Sequence, residues 1–246
     1  SYDKVIMSDA PSFVPKVVLG VAAHPDDLDF AAGGSIATWA KQGAKVYYFI
    51  LTNGNKGTDD RHITPEKLRD LRREEQRLAA RTLGATDVFF ANYEDGLLEP
   101  TQQVKMDIVR MIRQIKPDTV ITYDPTTYYD AARGLINHTD HRACGQATID
   151  AVYPLARDHL SYPALLANEG LEPHTVSGLL LFAWENTNFA VDIGGQLETK
   201  LQALRAHASQ FDNSAFEAAR TLAKENGALS GTMYAERFMR IDIRTF

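Results

Sequence analysis

The chain of 246 residues has a single cysteine, Cys144, so no intrachain disulfide can form and a reducing compartment, the cytoplasm, is expected. It also lacks an excess of positive charge. Its 26 Lys and Arg face 32 Asp and Glu, a net charge of −6, which argues against a general nucleic-acid binder. No apolar run approaches the roughly 20 residues needed to cross a bilayer, so no membrane span is expected. The opening SYDKVIMSDAPSF has neither a basic start nor a continuous apolar core, and no signal peptide is expected. The phosphate-loop pattern GxxxxGK[ST] is missing around Gly54 and Gly57, and Gly33-Gly34 does not make GxGxxG, so a dinucleotide site is not expected. Repeats, low-complexity tracts and linkers are missing too, and residues 1–246 are expected to form one domain.

What is present is an alternation of strand-like and helix-like segments. Residues 17–23 are an apolar run, as a strand buried on both faces should be. Residues 45–52, 87–91 and 119–123 read as further strands rich in β-branched and aromatic residues. Helices are expected over 34–42, 65–83, 101–115 and from the His138 region to 152. Thr64-Pro65 marks a helix start and Gly84 a stop. Residues 1–16 read as an irregular arm and 124–137 as a long loop. Later strands are expected over 176–184 and 190–193, an edge strand over 234–243, and helices over 195–207 and 215–223. The alternation predicts an α/β fold: a Rossmann-like three-layer sandwich around a mostly parallel sheet, with a C-terminal β/α extension.

The chemistry collects after two of these strands. His24 and Asp27 are three apart after the first, and His138 and His141 are three apart after the fourth. In a parallel sheet all strand C-termini lie on one edge, so the two pairs can meet in one crevice. Imidazole plus carboxylate suits zinc, and three protein ligands with one open position is the usual catalytic arrangement. Asp26, adjacent to a ligand candidate but directed elsewhere, is free to take a proton. Taken singly, Asp26, Asp27 and Asp140 read more simply as helix caps, and the Arg/Glu-rich helix over 65–83 as a solvated face with Arg72 the one exception. The paired spacing after two parallel strands outweighs the capping reading.

Further motifs run in order: Ala23-His24-Pro25-Asp26-Asp27, Thr52-Asn53-Gly54, Arg72 and Glu75 before Ala79-Ala80 and Leu83-Gly84, Asp95-Gly96, Lys116-Pro117-Asp118, His138-Thr139-Asp140-His141 and His207-Ala208-Ser209-Gln210. Through them the chain resembles the LmbE / PIG-L family of zinc-dependent N-acetylglucosaminide de-N-acetylases. The resemblance implies zinc, or another divalent metal, on His24, Asp27 and His141. It makes Asp26 the general base and gives His138, in protonated form, a role at the oxyanion or as an acid. It implies that Arg72 and Asp95 hold the sugar and that His207 reaches a substrate pocket, across a subunit contact if the protein is a homo-oligomer. The implied substrate is a small N-acetylated amino sugar, hydrolysed to acetate and a free amine. Two other readings are a metal-dependent amidase acting on a non-sugar metabolite and a metal-bearing sugar-binding protein without turnover. The chain departs from the family pattern at Leu28, where Glu is usual, and at Thr139, where Pro is frequent. Leu28 is therefore expected to remove a carboxylate from the second layer of the site or from its substrate-facing wall.

Overall fold

The computed structural model describes residues 13–131, 133–183 and 186–244. Most of the expected arm, residues 1–16, and Trp184 at the end of one expected strand lie outside them. The first half alternates as the sequence requires: β1 (Val17–Ala22), α1 (Asp27–Lys41), β2 (Lys45–Thr52), α2 (Pro65–Leu83), β3 (Asp87–Tyr93), α3 (Gln102–Ile115) and β4 (Thr119–Tyr123). A two-stranded hairpin of β5 (Tyr129–Asp130) and β6 (Leu135–Ile136) interrupts the long loop before α4 (Thr139–Asp150). Then come α5 (Pro163–Glu169), β7 (Gly178–Phe182), β8 (Phe189–Asp192), α6 (Leu197–Ala206), α7 (Asn213–Ser230) and β9 (Ala235–Asp242).

Seven strands form the central sheet in the order β3-β2-β1-β4-β7-β9-β8. The first five are parallel, and β9 runs antiparallel to both of its neighbours. Helices α1, α2, α6 and α7 pack together on one side, while α3 and α4 pair with each other over β1 and β4. Covering both faces explains why Val18, Leu19, Val21, Val120 and Ile121 are all fully buried. Thr64 accepts the Lys67 N–H and Gly84 ends α2 at φ +80, as the sequence signals indicate.

Besides the hairpin and α5, which were not expected, and α7, which runs to Ser230 rather than 223, two differences bear on the site and the sheet. Helix α1 begins at Asp27, seven residues before the expected 34, so the His-Pro-Asp-Asp stretch runs directly into it. Strand β9 is an interior strand, covered on its far side by β8. Among the described residues no helix is long and apolar enough to cross a membrane.

The chain steps from β1 outward to β2 and β3, then returns to the other flank of β1 with β4. The strand order therefore reverses between β1 and β4, which is where open α/β sheets hold their ligands.

Candidate active site

Residues 23–26 join β1 to α1 in a turn too tight for ordinary backbone. Asp26 has φ +98, a region that costs a residue with a Cβ on the order of 1–3 kcal/mol. Its neighbours hold it there. Arg72 of α2 donates through Nη2 to Pro25 O at 2.8 Å and to Asp26 Oδ2 at 3.1 Å, and through Nη1 to Gly54 O at 2.8 Å. Gly54, at φ +61, is needed here because a Cβ would stand 3.0 Å from both the Pro25 ring and Arg72. The Asp26 side chain makes no capping bond to α1, so the simple capping reading fails for it.

The turn sends Asp26 and Asp27 to different partners. Asp27 lies between two imidazoles, with His24 Nδ1 3.3 Å from Oδ2 and His141 Nε2 3.2 Å from Oδ1. Its Oδ2 also accepts the His24 N–H at 2.6 Å. The second histidine pair arrives from the other side of the switch point. His138 caps α4 by accepting the Asp140 N–H on Nδ1 at 3.1 Å, and His141 follows in the first turn. The His24 ring centroid is 4.8 Å from that of His138 and 5.3 Å from that of His141. Tyr123, at the end of β4, stacks on His141 with centroids 4.3 Å apart.

Imidazole and carboxylate donors of this kind suit a divalent metal. Ligand bonds of about 2.0–2.2 Å in a tetrahedral site put donor atoms roughly 3.4 Å apart, close to the spacing of Asp27 from its two histidines. Two groups have donor atoms close enough together to hold one ion: His24 with His138 and His141, and His24 with Asp95, His138 and Asp140. Asp140 is differently employed, however. It is fully buried, accepts the Gly96 and Leu98 N–H groups at 2.7 and 3.1 Å, and receives His24 Nε2 at 3.1 Å. A carboxylate so held orients the imidazole and leaves its Nδ1 facing Asp27.

The electrostatics separate the two aspartates. Burial and the negative charge of Asp27 push Asp26 up to about 7, against the pull of Arg72. Burial would also raise Asp27, but the charges and hydrogen bonds of His141 and His24 hold it well below the usual carboxylate range. Burial would lower His24, but Asp140 and Asp27 raise it well above its ordinary value. His138 is lowered, first by burial and then by the charge of His24. With Nδ1 accepting the Asp140 N–H, Nε2 is the ring nitrogen of His138 left to donate.

Other expected residues separate into those at the cleft and those away from it. Arg72 and Asp95 line a polar cavity together with His24, Asp26, Lys56 and His138. Arg72 is nonetheless 4% exposed and committed to the turn, and Asp95 accepts the Lys56 N–H at 3.0 Å. On the other side of Asp26, a cavity of about 310 Å³ is bordered by Asp27, Tyr123, His141 and the aromatic rings of Phe30, Phe182 and Phe211. His207 borders neither of these cavities. It is fully buried beneath α1, with Nε2 2.7 Å from Asp29 Oδ2. Leu28 is no substrate-facing gap either. It is fully buried against β1, with its methyl carbons filling the space a Cβ on Gly20 would need. Glu75 joins Arg72 as a buried exception on α2, accepting from Ser209 O–H at 2.6 Å.

Sequence reasoning missed Asp140, Tyr123 and Gln76. Asp140 sits inside the His138-Thr139-Asp140-His141 motif, and its position was the available signal. Tyr123 closes a strand and Gln76 lies on a helix of charged residues, so neither stands out by type.

The PIG-L family, described as GlcNAc-PI de-N-acetylase, matches residues 19–152. The diacetylchitobiose deacetylase of Thermococcus kodakarensis is 34% identical over 225 residues, spanning 90% of this chain and 81% of that protein. The solved N,N'-diacetylchitobiose deacetylase from Pyrococcus horikoshii, complexed with its inhibitor MPG, superposes with a TM-score of 0.85 at 32% identity, covering 93% of this chain and 84% of that one. GalB, a 4-carboxy-2-hydroxymuconate hydratase from Pseudomonas putida, has a TM-score of 0.78 at 22% identity over 94% of this chain and 98% of its own, a likeness of fold alone.

Proposed function

The chain belongs to the PIG-L family of de-N-acetylases, and from that premise we propose that it hydrolyses the acetamide of an N-acetylglucosamine-type amino sugar to acetate and a free amine. His24, Asp27 and His141 would hold the metal, for which zinc is the best match to two imidazoles and a carboxylate. Bound there, zinc supplies Lewis acidity that makes a water more acidic and polarises the acyl carbonyl. Asp26 takes the proton of the water that attacks the carbonyl carbon. His138 donates from Nε2 to the carbonyl oxygen as that oxygen gains charge. Asp26 then returns its proton to the nitrogen as the C–N bond breaks. A value of about 7 suits a group that must both accept and release a proton near neutrality. Lys56 and Asp95 give the polar cavity charged groups suited to sugar hydroxyls.

The observation that carries this reading is the Asp27 carboxylate facing His24 with one oxygen and His141 with the other, while Asp26 turns away toward Arg72. Its test is acetate release from N-acetylglucosamine and diacetylchitobiose, with metal content measured in parallel. Asp26→Asn should retain zinc and lose at least about 100-fold in kcat. His24→Ala and His141→Ala should lose bound zinc as well. A fully active Asp26→Asn protein would remove Asp26 from the base role. A purified protein that holds no divalent metal and does not respond to added zinc would end the metal-hydrolase reading.

A further inference from the structure

The backbone of Asp26 is strained, and a strained residue relaxes unless its surroundings over-determine it. Arg72 holds its carboxylate. A different group holds its amide: the Asp26 N–H donates to Gln76 Oε1 at 2.8 Å. Gln76 is fully buried, and the other end of its amide is also engaged, with Nε2 donating to Asp29 Oδ2 at 2.7 Å. Asp29 is itself anchored. The Tyr48 hydroxyl donates to Oδ1 at 2.9 Å, and His207 Nε2 meets Oδ2 at 2.7 Å. Only one orientation of the Gln76 amide satisfies both partners, because a flipped amide would turn NH2 toward an N–H and C=O toward a carboxylate. The buried carboxylate of Asp29 thus dictates which way Gln76 faces.

Arg72 and Gln76 are four residues apart on one face of α2. The two grips differ in kind. Arg72 touches the carboxylate proposed to move the proton, whereas Gln76 touches only the backbone that aims it.

We propose that Gln76 is a positioning residue for deacetylation, fixing the direction of the Asp26 carboxylate through the Asp26 amide, with Asp29 setting the polarity of the Gln76 side chain. The proposal rests on Asp26 being the base. It accounts for a fully buried aspartate two residues beyond a proposed metal ligand.

The experiment measures kcat and KM on the zinc-loaded protein, with amide exchange at Asp26 followed by NMR and with melting curves. Gln76→Met removes both hydrogen bonds at similar volume. It should lower kcat by about 10–100-fold, leave KM within about twofold and bound zinc unchanged, and speed exchange of the Asp26 amide. In an Asp26→Asn background the same substitution should cost no further kcat, since its effect passes through that carboxylate. Gln76→Glu keeps an acceptor for Asp26 but turns a carboxylate oxygen toward Asp29. Pairing it with Asp29→Asn restores one donor and one acceptor, and kcat should recover by at least about tenfold over Gln76→Glu alone. Unchanged kcat and exchange in folded Gln76→Met, or an equal further loss in the Asp26→Asn background, would overturn the proposal while leaving the base assignment intact. If Gln76→Met does not fold, failure of the paired variant to recover overturns it equally. Full activity of Asp26→Asn alone would instead defeat the base reading, and this proposal with it.

Discussion

Asp26 and Asp27 are adjacent, yet one is pushed toward neutrality and the other is held ionised. One strained residue of backbone produces the difference, by turning the first toward Arg72 and the second between two histidines. A similar contest decides His207. Burial alone would lower it, but the hydrogen bond and charge of Asp29 raise it above its ordinary value. A group raised in the folded state contributes stability that is complete below its unfolded pKa of about 6.5 and is lost as pH rises through the folded value. Melting temperature should therefore fall as pH climbs above about 6.5 through the raised folded value, and His207→Gln should remove that part of the slope. An unchanged slope in melts of the variant would show that His207 does not titrate with folding. The histidines of the site were legible because residue type and spacing sit together after two strands. Leu28 and His207 were not. Each residue of a helix turns the next side chain by about 100°, so the start of α1 at Asp27 swings Leu28 onto β1. The partner of His207 was hidden because nothing local to it reveals that Asp29, far away in sequence, lies above it.

At the scale of elements, the site depends on how closely α4 approaches β4. Gly145 makes that approach possible, since a Cβ there would lie 2.6 Å from the Tyr123 carbonyl oxygen. Gly145→Ala should push α4 away from the strand, and with it the turn carrying His138 and His141. The expected result is a loss of about 1–3 kcal/mol of stability, read by chemical denaturation, together with weaker zinc retention in dialysis against a chelator. Wild-type stability and retention would show that the helix yields without moving its first turn. Strands β1, β2 and β4 were legible as apolar runs because both faces are covered. The beginning of α1 was hidden by its motif, whose polar residues read as loop. The position of β9 was hidden for another reason: an antiparallel strand alternates in the same way at an edge or inside a sheet, and only the pairing with β8 tells them apart.

Across the whole molecule, the C-terminal segments contribute none of the proposed metal ligands but brace the helix that carries one. Glu236 of β9 accepts the Gly34 and Ser35 N–H groups of α1 at 2.9 and 2.7 Å and pairs with Lys200 of α6 at 2.6 Å. Both side chains of that ion pair are at most 4% exposed. Removing one partner leaves a buried charge uncompensated, so Lys200→Met should destabilise by about 3–5 kcal/mol, and adding Glu236→Gln should restore part of that in denaturant titrations. Equal stability of the single and double variants would mean that the pair is not coupled. The parallel sheet and the switch point were legible in the first half of the chain, where alternation is regular. This brace was not, because it joins residues some two hundred positions apart. That separation has a consequence for synthesis. A ribosome extrudes His24 through His141 well before Glu236, so a growing chain carries every proposed ligand while the middle of α1 still lacks its carboxylate. The brace on the middle of α1 thereby forms only once β9 has emerged, after every proposed ligand.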